Sequence, residues 1–211
     1  MSGVLITLEG GEGAGKSTVV AALAERIESF GIRLRVTREP GGTALGEAVR
    51  AIVLDPEQRS VCAESELLLM FAARAQLVRE LIMPALAAGE WVLSDRFTDA
   101  SYAYQGGGRG QPCERIAELE RWAAASIRPD LTLLLDVPVA QGLARARDRG
   151  DADRIECEHA DFFENVRAVY RARAAADPRR FCVIDASRGV ASVRGDALTA
   201  IDAFVAARQT Q

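Results

Sequence analysis

The sequence predicts an α/β fold, a five-stranded parallel sheet between two layers of helices. Three observations carry that expectation. Short apolar runs recur at Leu5–Glu9, Leu34–Arg38, Trp91–Asp95, Leu131–Asp136 and Phe181–Asp185. Most are solidly apolar rather than alternating, the pattern of strands covered on both faces. Stretches of helical periodicity separate them, and strands alternating with helices imply crossover connections and a parallel sheet.

After the first strand, a helix is expected from Gly15 to about Phe30. Val19, Val20, Leu23, Ile27 and Phe30 form its apolar face, and Gly31 is its stop. A long helix covers about Ala63–Ala88 and is interrupted near its end by Pro84. Further helices cover about Pro112–Ser126, Val139–Arg149, Ala160–Ala176 and Val190–Arg208. No internal repeat, low-complexity tract or linker divides the 211 residues, so one domain is expected, and 49% hydrophobic residues suffice for a sizeable core.

Composition excludes several classes of partner. A net charge of −4 argues against a polyanion-binding surface, so neither nucleic acid nor a membrane is expected. No apolar stretch approaches the ~20 residues of a membrane span, and the chain enters Val4–Leu8 without a signal-peptide pattern. Cys62, Cys113, Cys157 and Cys182 are scattered and His159 is the only histidine, which fits a reducing cytoplasm rather than a zinc site or disulfide framework. Lys16 is the only lysine among 26 basic residues; the other 25 are arginines. A chain that uses arginine everywhere else needs a chemical reason for one ammonium, a compact point charge that a planar fork does not replace.

Open sheets of this class bind ligands beyond the carboxyl ends of their strands. Here those ends carry a glycine loop after Glu9, then Arg38, Asp95–Arg96, Asp136 and Asp185. Gly10–Ser17 fits G-x-x-x-x-G-K-[ST] between a strand and a helix, the context this phosphate-binding motif requires. Backbone N–H groups of Gly10, Gly11, Glu12, Gly13, Ala14, Gly15, Lys16, Ser17 and Thr18 are placed to cradle phosphate at a helix N-terminus. Lys16 reaches the β- and γ-phosphates and the Ser17 hydroxyl can ligate Mg²⁺. Asp95 has two readings, a water-mediated ligand of the same metal or an N-terminal cap. Glu12 is anomalous, since a carboxylate in this loop repels phosphate unless it faces something else. A switch GTPase is excluded: the only asparagine, Asn165, precedes valine, and no aspartate has glycine three residues later.

A second substrate has candidate ligands. Arg38 precedes the turn Pro40-Gly41-Gly42. Phe71 and Arg74 lie three apart on a helix, so they share a face; they can stack on and bond a base, although for Phe71 by itself plain core is the favoured reading. Arg96, Ser101, Tyr104 and Gln105 add polar groups. Arg145, Arg147, Arg149 and Arg154 form either a solvated face or a lid over about residues 145–157 that closes on a phosphate chain.

Taken in order, "EGGEGAGKST", "TREPGGT", "MFAARAQ", "SDRFTDASYAYQGGGRG", "RPDLTLLLDV" and "RARDRGDADRIE" resemble the bacterial thymidylate kinases from Leu5 to about Asp185. The resemblance implies a P-loop nucleoside-monophosphate-kinase-like three-layer fold. It also implies transfer of the γ-phosphoryl group of ATP to dTMP with Mg²⁺, giving dTDP for dTTP synthesis, by a cytoplasmic homodimer. By the same resemblance, Lys16 and Ser17 hold ATP and metal, and Arg38 and Arg96 grip the dTMP phosphate. Phe71 stacks on thymine while Arg74 and Ser101 contact the base. Tyr104 lies near the sugar and disfavours a 2′-hydroxyl. The phosphate loop lacks arginine, so the catalytic arginine belongs to the lid: Arg149 first, then Arg154 and Arg147. Phe97 stands where many relatives carry tyrosine or histidine. Glu12 then faces the acceptor's 3′-hydroxyl rather than the ATP phosphates.

Overall fold

A computed structural model of the chain describes residues 3–58, 60–148 and 152–209. Strand β1 (Val4–Gly10) leads into helix α1 (Lys16–Ser29) and β2 (Leu34–Arg38). Next come α2 (Ala44–Leu54), α3 (Ala63–Leu77), a π-helical segment at Val78–Ile82, and α4 (Met83–Ala87). Strand β3 (Trp91–Asp95) is followed by α5 (Thr98–Ser101), a second π-helical segment at Tyr102–Gly108, and α6 (Cys113–Ala123). The chain ends with β4 (Leu131–Asp136), α7 (Val139–Arg147), α8 (Ala160–Ala176), β5 (Phe181–Asp185) and α9 (Val190–Gln209). The five strands are parallel in the order β2-β3-β1-β4-β5.

The three inner strands are fully covered while the edges are not: Val36 of β2 is 48% exposed and Val183 of β5 is 53% exposed. On one face, Leu23 and Ile27 of α1 and Val193, Ile201 and Val205 of α9 bury Ile6, Leu8, Leu93 and Leu133. On the other face, the α3–α4 stretch covers Leu5 and Val92, and α8 covers Leu134. Each such side chain removed from water contributes about 1.5–3 kcal/mol. Among the described residues no helix is long and apolar enough to cross a membrane.

All five strands lie where the periodicity places them. The long helix expected over Ala63–Ala88 is α3 and α4 joined through a π-helical turn, with Pro84 in the first turn of α4, where its missing N–H costs least. Three elements lie outside the expectation, the short α5 and two others. Helix α2 follows the Pro-Gly-Gly turn and is capped by Thr43, whose hydroxyl accepts from the Gly46 N–H at 3.0 Å. The second π-helical segment runs through Gly106-Gly107-Gly108, a composition that argues against helix. Those glycines serve packing: a Cβ on Gly107 would lie 2.9 Å from the Asn165 carbonyl, and one on Gly108 would enter the Phe162 ring, both on α8.

Parallel pairing sets Leu8 beside Asp95 and Asp95 beside Arg38, so the carboxyl ends open on one edge. There α7 touches the loop after β1: a Cβ on Gly142 would collide with the Glu12 carbonyl oxygen. Gly142→Ala should therefore destabilise the fold by about 1–3 kcal/mol, as overpacking does. Gly195 on α9 has open space where its Cβ would be, so Gly195→Ala should instead stabilise by about 0.5–1 kcal/mol. Urea unfolding of both variants checks the pair; equal shifts would mean that the α7 contact carries no strain.

Candidate functional site

The loop after β1 turns on left-handed glycines, Gly13 at φ 66° and Gly15 at φ 88°, and α1 starts at Lys16. This geometry leaves Ser17 and Thr18 exposed on the first turn of a helix whose N–H groups face outward. The Lys16 ammonium donates to the Gly10 and Gly11 carbonyls, each at 3.1 Å, so it lies folded over its own loop. Burial and the nearby Arg96 lower its pKa, opposed by the carboxylates of Glu12, Asp95 and Glu9. Asp95 Oδ1 is buried without a hydrogen-bond partner. No group of three His, Cys, Asp or Glu side chains among the described residues could hold a metal alone. An orphaned carboxylate oxygen and an exposed hydroxyl are the donor set of Mg²⁺ bound chiefly through phosphates and water, so Ser17 and Asp95 fit that ion.

Beside this loop lies a cleft of about 580 Å³, walled by Glu12, Glu39, Arg50, Met70, Arg96, Tyr104 and Gln105 among others. Arg96 joins loop to cleft. Its backbone is left-handed at φ 71°, held by its N–H to the Leu8 carbonyl (2.9 Å) and by the Ser94 hydroxyl donating to its carbonyl (2.7 Å). Its guanidinium donates to the Gly10 carbonyl (3.1 Å), Glu12 Oε1 (2.8 Å), Tyr104 Oη (3.0 Å) and Tyr170 Oη (3.2 Å). Tyr104 also donates to Glu12 Oε1 at 2.8 Å. Thus the Glu12 carboxylate lies on the cleft wall, drawn to Arg96 and Tyr104.

Below Arg96, Glu9 accepts from Tyr170 Oη (2.7 Å) and the Phe97 N–H (2.8 Å). Burial, reinforced by the Asp99 charge, pushes its carboxyl up to about 8. Asp99 itself is paired with Arg173 and Arg180.

Arg74 is buried and lies under the cleft. It donates to Glu39 Oε2 (2.8 Å), Ser101 Oγ (2.9 Å) and the Phe97 carbonyl (3.1 Å). Its guanidinium covers the Phe71 ring at 4.5 Å. Phe71 is 3% exposed, packed with Leu67, Tyr102 and Ile116, so the base-stacking role expected of it does not match its placement. Three-residue spacing set arginine over ring, and Met70 faces the cleft instead. Arg38 is exposed at the cleft's rim and paired with Glu47 at 2.8 Å.

Arg50 is the residue the sequence reading missed, because it lies on the unanticipated α2. It donates to the Pro40 carbonyl at 3.1 Å. Burial lowers its pKa, and the like charges of Arg38 and Arg96 lower it further. The carboxylates of Glu47 and Asp153 oppose that lowering, and Arg38 and Arg96 are themselves paired with Glu47 and Glu12. The sequence signal of Arg50 was the helical phase of Gly46, Arg50 and Val53.

Of the lid arginines, Arg149 lies outside the described residues. Arg147 is exposed at the end of α7, and Arg145 donates to the Ala186 carbonyl (2.8 Å) and the Ser187 carbonyl (3.3 Å) after β5. The Arg154 guanidinium is held by Glu66 at 2.6 Å and the Val53 carbonyl at 2.7 Å, turned toward α3 and α2.

A phosphate loop with its lone lysine, sharing one wall with an arginine-lined cleft, defines a P-loop phosphotransferase of the nucleoside monophosphate kinase kind. Comparison with known proteins specifies it. The family model described as thymidylate kinase matches residues 8–197. A thymidylate kinase of Ectopseudomonas mendocina is 55% identical over 196 residues, 93% of both chains. That of Pseudomonas entomophila is 53% identical over 205 residues, 97% of this chain and 96% of the relative. The crystal structure of thymidylate kinase from Ehrlichia chaffeensis superposes with a TM-score of 0.78 at 30% identity, over 96% of this chain and 99% of that one. The chain belongs to the thymidylate kinase family.

Two outcomes follow from this geometry. Lys16→Arg should lower kcat by ~10² or more in steady-state assays, because a planar fork does not fit between the two loop carbonyls. For Glu9, a folded pKa of about 8 exceeds the ordinary carboxylate value, so folding binds a proton. Its stabilising contribution is complete below about 4.5 and lost as pH rises through about 8. Between pH 5 and 8, Tm of the wild type should therefore fall more steeply than that of Glu9→Gln; parallel curves would contradict a protonated Glu9.

Proposed function

We propose that the cleft beside Glu12 holds dTMP, the phosphate loop holds ATP, and Ser17 and Asp95 hold Mg²⁺ between them. As a thymidylate kinase family member, the chain transfers the γ-phosphoryl group of ATP to dTMP, a step in dTTP synthesis. The observation that carries the site assignment is the Arg96–Glu12 pair, which joins the phosphate loop to the cleft.

Phosphoryl transfer needs positioning and charge stabilisation more than covalent chemistry from the protein. Arg50, Arg38 and Arg96 receive the acceptor phosphate, which relieves their mutual repulsion. Met70 and Tyr104 flank the acceptor nucleoside, while Arg74 holds Ser101 and Glu39 in place beneath it. Lys16 leaves its two loop carbonyls for the ATP phosphates. Bound Mg²⁺ supplies positive charge to the phosphate chain. Arg149 is the arginine assigned to the transferring group, since the phosphate loop has none. The functional unit is a cytoplasmic homodimer, and exposed Leu68 and Trp122 on neighbouring α3 and α6 offer apolar surface for a second copy.

The test is ADP release with ATP and Mg²⁺ against a panel of nucleosides and monophosphates; preference for AMP, GMP or a free nucleoside would overturn the assignment. Glu12 allows a sharper measurement. A hydrogen bond from the sugar 3′-hydroxyl to this carboxylate contributes about 1.5–3 kcal/mol, so dTMP should exceed 3′-deoxy-TMP roughly 10- to 150-fold in kcat/KM. Glu12→Ala should shrink that ratio toward one. If Glu12 instead only orients Arg96, both acceptors slow together and the ratio survives.

A further inference from the structure

Glu66 of α3 is fully buried, far from any role in phosphoryl transfer described above, yet three polar side chains converge on it. Gln105 Nε2 donates at 3.0 Å, Arg109 Nε at 3.2 Å and Arg154 Nη2 at 2.6 Å. Burial alone would raise its carboxyl, but the bonds from Gln105 and Arg154 and the charge of Arg109 hold it below the ordinary carboxylate value. An ionised carboxylate only accepts.

That asymmetry has two consequences. Gln105 must turn its NH₂ toward Glu66, which leaves its carbonyl oxygen to find another donor. This oxygen is buried without a partner, in a residue that walls the acceptor cleft. A buried acceptor without a partner on that wall suits a base N–H, and thymine presents one such N–H between two carbonyls. Arg154 is fixed in the same way. Its Nε donates to the Val53 carbonyl and its backbone N–H to the Leu54 carbonyl at 3.0 Å, so it caps the C-terminus of the helix that carries Arg50. Ile155, the next residue, is buried in the same cluster that Leu54 packs against. The segment that follows the arginine-rich stretch is therefore rooted on the acceptor side.

We propose that Glu66 is a positioning residue that sets the base reader Gln105 and the root of the lid together, coupling base recognition to lid placement through one carboxylate. The proposal rests on the reading of the cleft as the dTMP site. One bond to a charged group carries each link, so each single change should cost about tenfold or more.

The experiment is a steady-state double-mutant cycle with dTMP and ATP, with Tm recorded for each variant. Gln105→Ala should raise KM for dTMP about tenfold with kcat nearly kept, and Arg154→Lys should lower kcat about tenfold with KM nearly kept. Lysine keeps the charge but cannot bridge Val53 and Glu66 at once. Glu66→Gln should do both. The double variant Gln105→Ala/Arg154→Lys should lose clearly less than the product of the single losses, because both act through one group. Additive losses would overturn the coupling, and this cycle needs no change at Glu66 itself should Glu66→Gln fail to fold. A Glu66→Gln protein with lowered Tm but unchanged kcat and KM would reduce Glu66 to a structural role. Absence of dTMP turnover in the wild type would instead refute the assigned acceptor, a separate outcome.

Discussion

The ion pair between Arg96 and Glu12 is the constraint on which the rest of the site depends. A guanidinium with 14% of its side chain exposed and a carboxylate with 16% exposed cannot stand alone there, since an unpaired charge in such a place costs several kcal/mol. Their mutual need holds the phosphate loop against the acceptor cleft. It also sustains the left-handed backbone of Arg96, a conformation that costs about 1–3 kcal/mol for a non-glycine residue. The strain is offset by four acceptors of its guanidinium, three of them side chains, and by a backbone bond to β1, so Arg96 is held in register with the strand that launches the phosphate loop. Moving the loop relative to the cleft would separate this pair.

The same logic explains the chain's arginine usage. Buried carboxylates recur around the site: Glu39 meets Arg74, Asp99 meets Arg173 and Arg180, and Glu66 meets Arg109 and Arg154. In each case the guanidinium also bonds a carbonyl or hydroxyl or covers a ring, which a three-donor ammonium on a flexible stem does less well. Lys16 is the exception, and the role proposed for it supplies the reason. A group that must leave two carbonyls to meet phosphate is better as a compact point charge than as a fork locked into fixed bonds.

These facts also mark what could be read from the chain. The strands and most helices were legible because burial on both faces and a repeat of 3.6 leave direct traces in residue order. The phosphate loop was legible because its glycines and lysine answer to geometry within ten residues. Helix α2 was not, since the Pro-Gly-Gly turn before it read as a loop, and Arg50 went with it. Phe71 and Arg74 were correctly placed on one face. Which of ring and arginine would face the cleft depended on Glu39, Ser101 and the Phe97 carbonyl, all remote in sequence. Arg154 looked like its lid neighbours until a carboxylate 88 positions earlier claimed it. Local periodicity encodes elements; partner choice among many equivalent arginines is a tertiary decision.

That decision shapes how the arginine-bearing stretch is mounted. Its N-terminal root is α7, whose Gly142 lies against the Glu12 carbonyl and whose Arg145 holds the carbonyls after β5. Its C-terminal root is Arg154, bonded to α3 and to the last turn of α2. One root therefore belongs to the phosphate loop's neighbourhood and the other to the helix that bears Arg50. Both roots are held by part-buried polar contacts. The stretch between them is thus attached to both substrates' supports at once. If this stretch is the lid proposed above, mounting it on both sides ties its placement to the supports of both proposed substrate sites.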